Sequence, residues 1–199
     1  MQTIIHYLLA IDALKNVNRR NYITPHPSTG EQRLENSAEH SWHLAMACWA
    51  FNAYFKLGLN QEKLLKMALV HDLGEIDAGD TFLYADNRAT AHVGERMGVV
   101  RLANLAGQVA PPLQDELLNL WDEQEVGDSQ ETKLLKAIDR ILPFMLNMVS
   151  QGGAWRDHAV KRSQVVKAQA FIEQDFPSIH AWITEQIDVA VVSGWLVDD

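Results

Sequence analysis

The sequence has no long hydrophobic run and very little cysteine. It contains no stretch of about 18 apolar residues, so it predicts no membrane-spanning helix. Its one cysteine, Cys48, excludes a disulfide framework within the chain, and this fits a reducing, cytoplasmic location. Because Cys48 lies in an apolar pattern with helical spacing, we interpret it as a small buried core residue rather than a nucleophile.

The N-terminal segment MQTIIHYLLAIDALKN is apolar but lacks the charge pattern of a secretion signal. It has no basic n-region, and Asp12 and Lys15 interrupt the apolar stretch. Ile4, Leu8 and Ile11 recur at helical spacing instead. We therefore expect a first helix of the folded chain.

Basic residues are also fewer than acidic ones. Lys and Arg number 17 against 26 Asp and Glu, which gives a formal net charge of -9. This balance disfavours binding to a nucleic-acid polymer, which needs a surface of basic residues. A small phosphorylated ligand is still compatible, because a local basic pocket can overcome a distant acidic field. Arg19, Arg20 and Arg33 form the early basic cluster.

The chain is otherwise typical of a globular protein, with 47% hydrophobic and 22% charged residues, and it reads as all-helical. Loops are expected at 21–32 and 76–87, and Ser37 is a plausible N-cap. Further helices are predicted at 37–56, 61–73, 90–106, 129–150, 156–175 and 177–192, with one more beginning at Pro111-Pro112. We predict an all-α fold, a compact single-domain helical bundle over residues 1–199, with its motifs at about 5–155 and C-terminal helices at about 156–192.

Residues with catalytic chemistry concentrate in four short strings: ENSAEHSWH, HDLGE, AGD and KAIDR. The adjacent His71 and Asp72 point about 100° apart within a helix, but at a helix end both can reach one ion. His40 falls on the preceding predicted helix, and a mixture of imidazole and carboxylate suits a divalent first-row metal. His43, one turn from His40, is better explained as a residue outside the ligand set.

Asp139 lies in the apolar string LLKAIDRILPFML, where a buried carboxylate needs a cation or hydrogen bonds. A metal ion would provide the cation, and a salt bridge to Arg140 or Lys136 is the alternative. Two His and two Asp ligands leave room on a six-coordinate ion for water and a substrate oxygen. Such an ion activates water and polarises a phosphoryl group.

The ordered set His40, His71-Asp72 and Asp139 resembles the HD-domain phosphohydrolase superfamily. The longer strings RLENSAEHSWHLA, ALVHDLGEIDAGD, LWDEQE and KAIDRILPFMLN look like its 5'-deoxynucleotidase branch. The resemblance covers about residues 5–155 and is weaker beyond them. It implies an all-α bundle with one divalent metal ion (Mn, Co, Ni, Fe, Zn or Mg) held by these four residues.

The same resemblance implies roles for four more residues. Glu75 matches the glutamate beside the metal-bound water, as a general base or water orienter. Asp80 matches the aspartate that contacts the sugar or assists proton transfer. Arg19 and Arg33 match phosphate-binding positions. Taken alone, these residues would be explained as a surface Glu, a turn Asp and solvated loop cations.

Two features of the sequence leave the nucleotide open. Arg20 stands where some nucleotidases of the family have Trp, and the loop 21–34 is longer. Two other activities of the superfamily fit less well. Hydrolases of guanosine tetraphosphate carry Glu-Asp after the HD pair, whereas Glu75 precedes Ile76 here. Di-iron oxygenases need extra histidines, and His92, which we assign to a helix face, is the one histidine between Asp72 and Asp139.

We therefore predict a metal-dependent phosphohydrolase that releases the 5'-phosphate of deoxynucleoside monophosphates or of a similar small phosphomonoester. The alternative is a non-catalytic, metal-containing nucleotide-binding or sensor module, although such a module would not need Glu75 and Asp80. A homodimer is a further expectation of the resemblance. The C-terminal helix could form its interface or cover the core through Trp182, Ile183, Ile187, Val191, Val192 and Trp195.

Overall fold

The computed structural model describes residues 1–85 and 88–199, and helices account for most of them. A 3-10 turn at Ala13–Asn16 follows the first helix, and two short strands pair as β1 (Asn18–Tyr22) and β2 (Leu34–Asn36). The α-helices are α1 (Gln2–Asp12), α2 (Ser37–Tyr54), α3 (Gln61–Val70), α4 (Glu75–Ala78), α5 (Arg88–Val109), α6 (Pro111–Val126), α7 (Gln130–Val149), α8 (Gly153–Asp157), α9 (Arg162–Gln169), α10 (Ile172–Asp175) and α11 (Pro177–Val192). The predicted all-α fold class is confirmed.

The loops of the sequence prediction are partly wrong. The predicted loop at 21–32 begins inside β1, and the predicted loop at 76–87 begins inside α4, although residues 86 and 87 lie outside the described part of the chain. The β1–β2 pair has no alternating apolar pattern that would predict it. Backbone hydrogen bonds flank the pair at both ends. Ser37 N–H donates to Val17 O at 2.9 Å, and Ile23 N–H donates to Arg33 O at 3.0 Å. Burial does not alternate strictly along β1, so no period-two signal marks this strand in the sequence.

Several helix boundaries also differ from the prediction, and the helix predicted at 61–73 ends at Val70, before His71 and Asp72. The N-cap of α2 is Asn36, not Ser37: the Asn36 side chain accepts from Glu39 N–H at 3.0 Å, and the Glu39 carboxylate accepts from Asn36 N–H at 3.3 Å. The predicted helix at 156–175 is three short helices. The chain breaks after α8 at Ala159, which has a φ of 48°, and Lys161 then forms a β-bridge with Val197. Tertiary pairing here overrides helix propensity.

The chain divides into two compact units. The first comprises Met1–Arg19, Asn36–Thr81 and Ala85–Lys136. Within it, α2 packs against α3, and α5 packs against α6, α1 and α4. Cys48 is fully buried, as predicted. One core cluster of this unit consists of Leu14, Val70, Leu73, Val99, Leu102, Ala103, Ala106, Leu117 and Trp121.

The second unit comprises Arg20–Glu35, Phe82–Tyr84 and Ala137–Asp199. Its core contains an aromatic group in which the Phe144 ring lies 5.5 Å from the Trp155 ring and 6.0 Å from the Trp182 ring, measured between centroids. The inner face of α11 adds Ile179, Ile183, Ile187 and Ala190. Over the described residues, no helix is both long and apolar enough to cross a membrane. One domain over residues 1–199 stays a prediction.

Candidate metal centre

The HD pair lies at a turn directly after α3. The Nδ1–H of His71 donates to Ala68 O at 2.8 Å, which turns the Nε2 atom toward Asp72 Oδ1 at 3.0 Å. From α6, the indole N–H of Trp121 donates to His71 O at 3.0 Å and holds the backbone of the turn. Because α3 ends at Val70, the two neighbouring side chains can approach one point.

His40 reaches the same place from α2. It is fully buried, and its ring centroid lies 5.4 Å from that of His71. His40, His71 and Asp72 each offer one ligand atom, and these atoms lie within 4.8 Å of one another. Two imidazole nitrogens and a carboxylate oxygen form a donor set that suits a divalent first-row metal. The residues present therefore fit the ion that the sequence predicts.

Electrostatics favour the ionised form of Asp72 that a metal ligand needs. Burial by itself would raise the pKa of Asp72. The interactions of Asp72 with His71 and with the guanidinium of Arg19 outweigh burial, and together they lower this pKa to about 2. Asp72 is therefore a carboxylate at neutral pH and can bind a cation without first losing a proton.

Arg19 and Asp80 belong to the same centre and are mostly buried, with side chains 11% and 9% exposed. Arg19 Nη1 donates to Asp72 Oδ2 at 2.8 Å and lies 3.9 Å from Asp80 Oδ1. Arg19 is therefore not a solvated loop cation, which was its simpler explanation. The structure brings the predicted phosphate-binding arginine beside a predicted metal ligand.

Glu75 is the first residue of α4 and is only 8% exposed. The Ser37 hydroxyl donates to Glu75 Oε2 at 2.6 Å. Burial, followed by the negative charge of Asp72, raises the pKa of Glu75 to about 9. A carboxyl with a strongly raised pKa beside candidate metal ligands is typical of a group that takes part in proton transfer.

Two predicted site residues belong to the second unit. Asp139 lies on α7, where Arg140 Nη1 donates to its Oδ2 at 2.6 Å, so the ion pair considered as an alternative is present. Arg33 is exposed, and its Nη1 donates to Leu34 O at 3.0 Å. Their roles as fourth metal ligand and phosphate contact stay predictions.

The other two histidines singled out in the sequence lie apart from the three clustered ligands. The half-buried His43 stacks beside Trp42, with 6.3 Å between the ring centroids. His92 lies on α5 with its side chain 46% exposed, and its Nδ1 pairs with Glu125 Oε2 at 2.7 Å and lies 3.6 Å from Glu95 Oε2. Both observations are consistent with residues outside the predicted ligand set.

Sequence reasoning missed two supporting residues, Ser37 and Trp121. Ser37 was interpreted as a helix cap, although its spacing of three residues from His40 places both on one face of α2. Trp121 was interpreted only as part of an apolar helix face, and the sequence gives no signal for its indole hydrogen bond. In both cases the missing information is the direction of a polar group toward a distant segment.

Comparisons with known proteins indicate the family of the chain. A family model described as an HD domain matches residues 11–180. The 5'-deoxynucleotidase HDDC2 of Danio rerio is 29% identical over 143 residues, which cover 71% of this chain and 66% of that protein, just under two thirds of its length. The 5'-deoxynucleotidase of Cronobacter sakazakii is 25% identical over 195 residues, which cover 90% of this chain and 94% of that protein.

A solved structure supports the same conclusion. The crystal structure of a "predicted metal-dependent phosphohydrolase" from Magnetospirillum magnetotacticum MS-1 is 32% identical, with a TM-score of 0.84, and the alignment covers 98% of this chain and 97% of that one. The family model extends over more than half of the sequence and includes His40, His71, Asp72 and Asp139. The chain therefore belongs to the HD domain family.

Proposed function

We propose that this protein is a divalent-metal-dependent phosphomonoesterase that releases the 5'-phosphate of deoxynucleoside monophosphates. The convergence of His40, His71 and Asp72 with the buried Glu75 and Arg19 is the observation that carries the proposal. The nucleotide substrate rests on the relatives named 5'-deoxynucleotidase. A single cysteine fits the cytoplasmic location that we propose for this activity.

His40, His71 and Asp72 would hold the ion, and we propose Asp139 as the fourth ligand. When bound, a divalent ion supplies Lewis-acid polarisation of the phosphoryl group and lowers the pKa of a coordinated water. Asp139→Asn tests the fourth ligand, because loss of one charged oxygen should weaken Mn²⁺ binding by about 10-fold or more. Unchanged affinity in a calorimetric titration would remove Asp139 from the ligand set.

The remaining residues provide charge and proton transfer. Arg19 offsets the negative charge of the substrate phosphate, with Arg33 proposed as a second contact. Glu75 accepts the proton of the attacking water. Asp80, close to Arg19, holds a sugar hydroxyl or protonates the leaving oxygen.

A phosphate-release assay tests the function directly. We expect release from deoxyribonucleoside 5'-monophosphates with Mn²⁺, Co²⁺ or Mg²⁺, and slower release from ribonucleoside 5'-monophosphates. Deoxyribonucleoside 3'-monophosphates serve as the matched control. If no nucleotide releases phosphate while calorimetry shows bound metal, the chain is instead the non-catalytic nucleotide-binding or sensor module.

Two variants separate metal binding from turnover. Asp72→Ala should abolish phosphate release and metal retention together, because it removes a ligand. Glu75→Ala should retain the metal but lose turnover by about 100-fold or more, the usual contribution of a general base. Undiminished turnover in either variant would contradict the corresponding role.

We also propose that the protein is a homodimer. Ile183 and Ile187 of α11 are buried within their own unit, so they cover the core. An exposed apolar surface lies on α2, where Trp42, Met46 and Trp49 are 64%, 45% and 52% exposed at helical spacing.

Sedimentation analysis tests both whether the protein is a dimer and whether the exposed α2 residues form the interface. Trp49→Glu should convert a dimer to the 22.4 kDa monomer. The matched control is Val192→Glu, since Val192 is 89% exposed on α11 and lies outside the α2 surface. A monomer in the unsubstituted protein would end the proposal.

A further inference from the structure

We infer that the Ser37 hydroxyl is a positioning group for Glu75 and fixes the carboxylate beside the metal ligands. This inference rests on the proposed function, because it concerns how Glu75 performs its step. It begins from the corrected helix boundary. Since Asn36 provides the N-cap of α2, the Ser37 side chain is not used to cap the helix.

The hydrogen-bond geometry selects Glu75 as the partner. Ser37 is fully buried, and its Oγ lies 2.6 Å from Glu75 Oε2 but 3.5 Å from Val17 O. A hydroxyl has one proton to donate, and the shorter contact to a carboxylate is much the stronger of the two. The hydroxyl therefore points from α2 to the first residue of α4.

Ser37 is itself held in place. Its backbone N–H donates to Val17 O at 2.9 Å, so the first turn of α2 is attached to the residue before β1. His40 follows one helical turn later, on the same face of α2. One rigid turn thus presents both a metal-ligand candidate and the hydroxyl that contacts Glu75.

Glu75 needs such a partner because it is buried near two other carboxylates. Asp72 and Asp80 repel its ionised form, whereas Arg19 and the hydrogen bond from Ser37 favour that form. The helix that carries it, α4, has only four residues, which gives little support of its own. Without the Ser37 hydroxyl, an ionised Glu75 would rotate away from these carboxylates and lose alignment with the attacking water.

A double-mutant cycle tests the inference. We expect Ser37→Ala to lower kcat by about 10- to 100-fold, part of the usual general-base contribution, while KM and Mn²⁺ affinity change less than about 3-fold. In a Glu75→Gln background, the same substitution should change kcat by less than about 2-fold, because the group that it positions is gone. Ser37→Thr keeps the hydroxyl and should restore most of the lost kcat.

Ser41→Ala is the matched control. Ser41 is an equally buried serine of α2, but its hydroxyl donates to the Ser37 carbonyl oxygen at 2.8 Å and not to Glu75. Its loss measures the general effect of removing a hydroxyl from this helix. Equal losses of kcat for Ser37→Ala in both backgrounds, or no loss in either, would overturn the inference.

A second readout keeps this inference separate from the proposed function. If the unsubstituted protein releases no phosphate from any nucleotide, the proposed function is wrong. The double-mutant cycle is then measured by the urea concentration at the midpoint of unfolding of the metal-free protein. Ser37→Ala and Glu75→Ala should shift that midpoint non-additively, since each removes one partner of the same buried hydrogen bond. Additive shifts would show that the two residues are not coupled.

Discussion

Asp72 and Glu75 lie three residues apart, yet their environments move their pKa values in opposite directions. Burial acts on both, but the interactions with His71 and Arg19 outweigh it at Asp72, whose pKa falls to about 2. At Glu75, burial and the negative charge of Asp72 act together, and the pKa rises to about 9. Neighbouring carboxyl groups with separated pKa values suit different tasks. Without an ion Glu75 holds its proton at neutral pH, and a divalent cation bound beside it would lower its pKa, which the proposed role of proton acceptor requires.

The raised pKa of Glu75 predicts that this residue destabilises the metal-free protein at neutral pH. Its folded-state pKa of about 9 lies above the ordinary value of 4.5, so its favourable contribution is complete below pH 4.5 and is lost as the pH rises toward 9. Gln has no proton to lose. Glu75→Gln should therefore raise the free energy of unfolding of the metal-free protein at pH 7 by about 1–3 kcal/mol.

Urea denaturation with a chelator, repeated between pH 4.5 and 8.5, measures this effect. The difference between Glu75→Gln and the unsubstituted protein should grow as the pH rises. Glu185 is exposed on α11 and provides the control. The difference in stability between Glu185→Gln and the unsubstituted protein should not grow with pH. A difference that does not depend on pH would contradict the shifted pKa.

At the scale of elements, Gly74 determines how closely the start of α4 approaches α5, whereas Gly94 leaves room for a side chain. A Cβ atom at Gly74 would lie 2.3 Å from Glu95 O, so even a methyl group would force the helices apart. On α5, a Cβ atom at Gly94 would meet the Ala78 Cβ at an ordinary 3.6 Å. The HDLGE string thus depends on its glycine for packing rather than for a special backbone conformation.

We predict opposite effects for alanine at these two positions. Gly74→Ala should lower the free energy of unfolding by about 1–3 kcal/mol through overpacking, and it should weaken metal binding, because the displaced turn carries His71 and Asp72. Gly94→Ala should raise stability by about 0.5–1 kcal/mol, since alanine favours a helix interior. Urea denaturation and metal titration of both variants measure these changes. Stability gained by Gly74→Ala would contradict the close approach.

The elements that the sequence predicts well are those whose signals are local. Proline begins α6 and α11, and apolar periodicity marks α3 and α7. The β1–β2 pair and the break between α8 and α9 depend on backbone pairing with distant residues, such as that between Lys161 and Val197, which no local pattern encodes. The same distinction applies to the site. The HD pair is visible as a motif, whereas the hydrogen bond from Ser37 to Glu75 depends on where two helices meet.

At the scale of the molecule, the clustered ligands connect segments that are distant in sequence. His40 belongs to α2, and His71 and Asp72 belong to the turn after α3. An ion that binds only the folded arrangement stabilises it by mass action, by about 2.7 kcal/mol when the free ion is at 100 times its Kd. For a chain of this length, that corresponds to a rise in Tm of about 5–10 °C.

Thermal unfolding with and without Mn²⁺ tests this linkage, and α2 offers a matched pair of histidines. His40→Ala should abolish the rise in Tm, because it removes a ligand atom from the cluster. His43→Ala, one turn further along α2, should retain the rise, since His43 lies against Trp42 and outside the three-residue group. Loss of the rise in His43→Ala but not in His40→Ala would reverse the ligand assignment on this helix. Because both variants lose an imidazole from the same helix, the comparison separates metal binding from a general loss of stability.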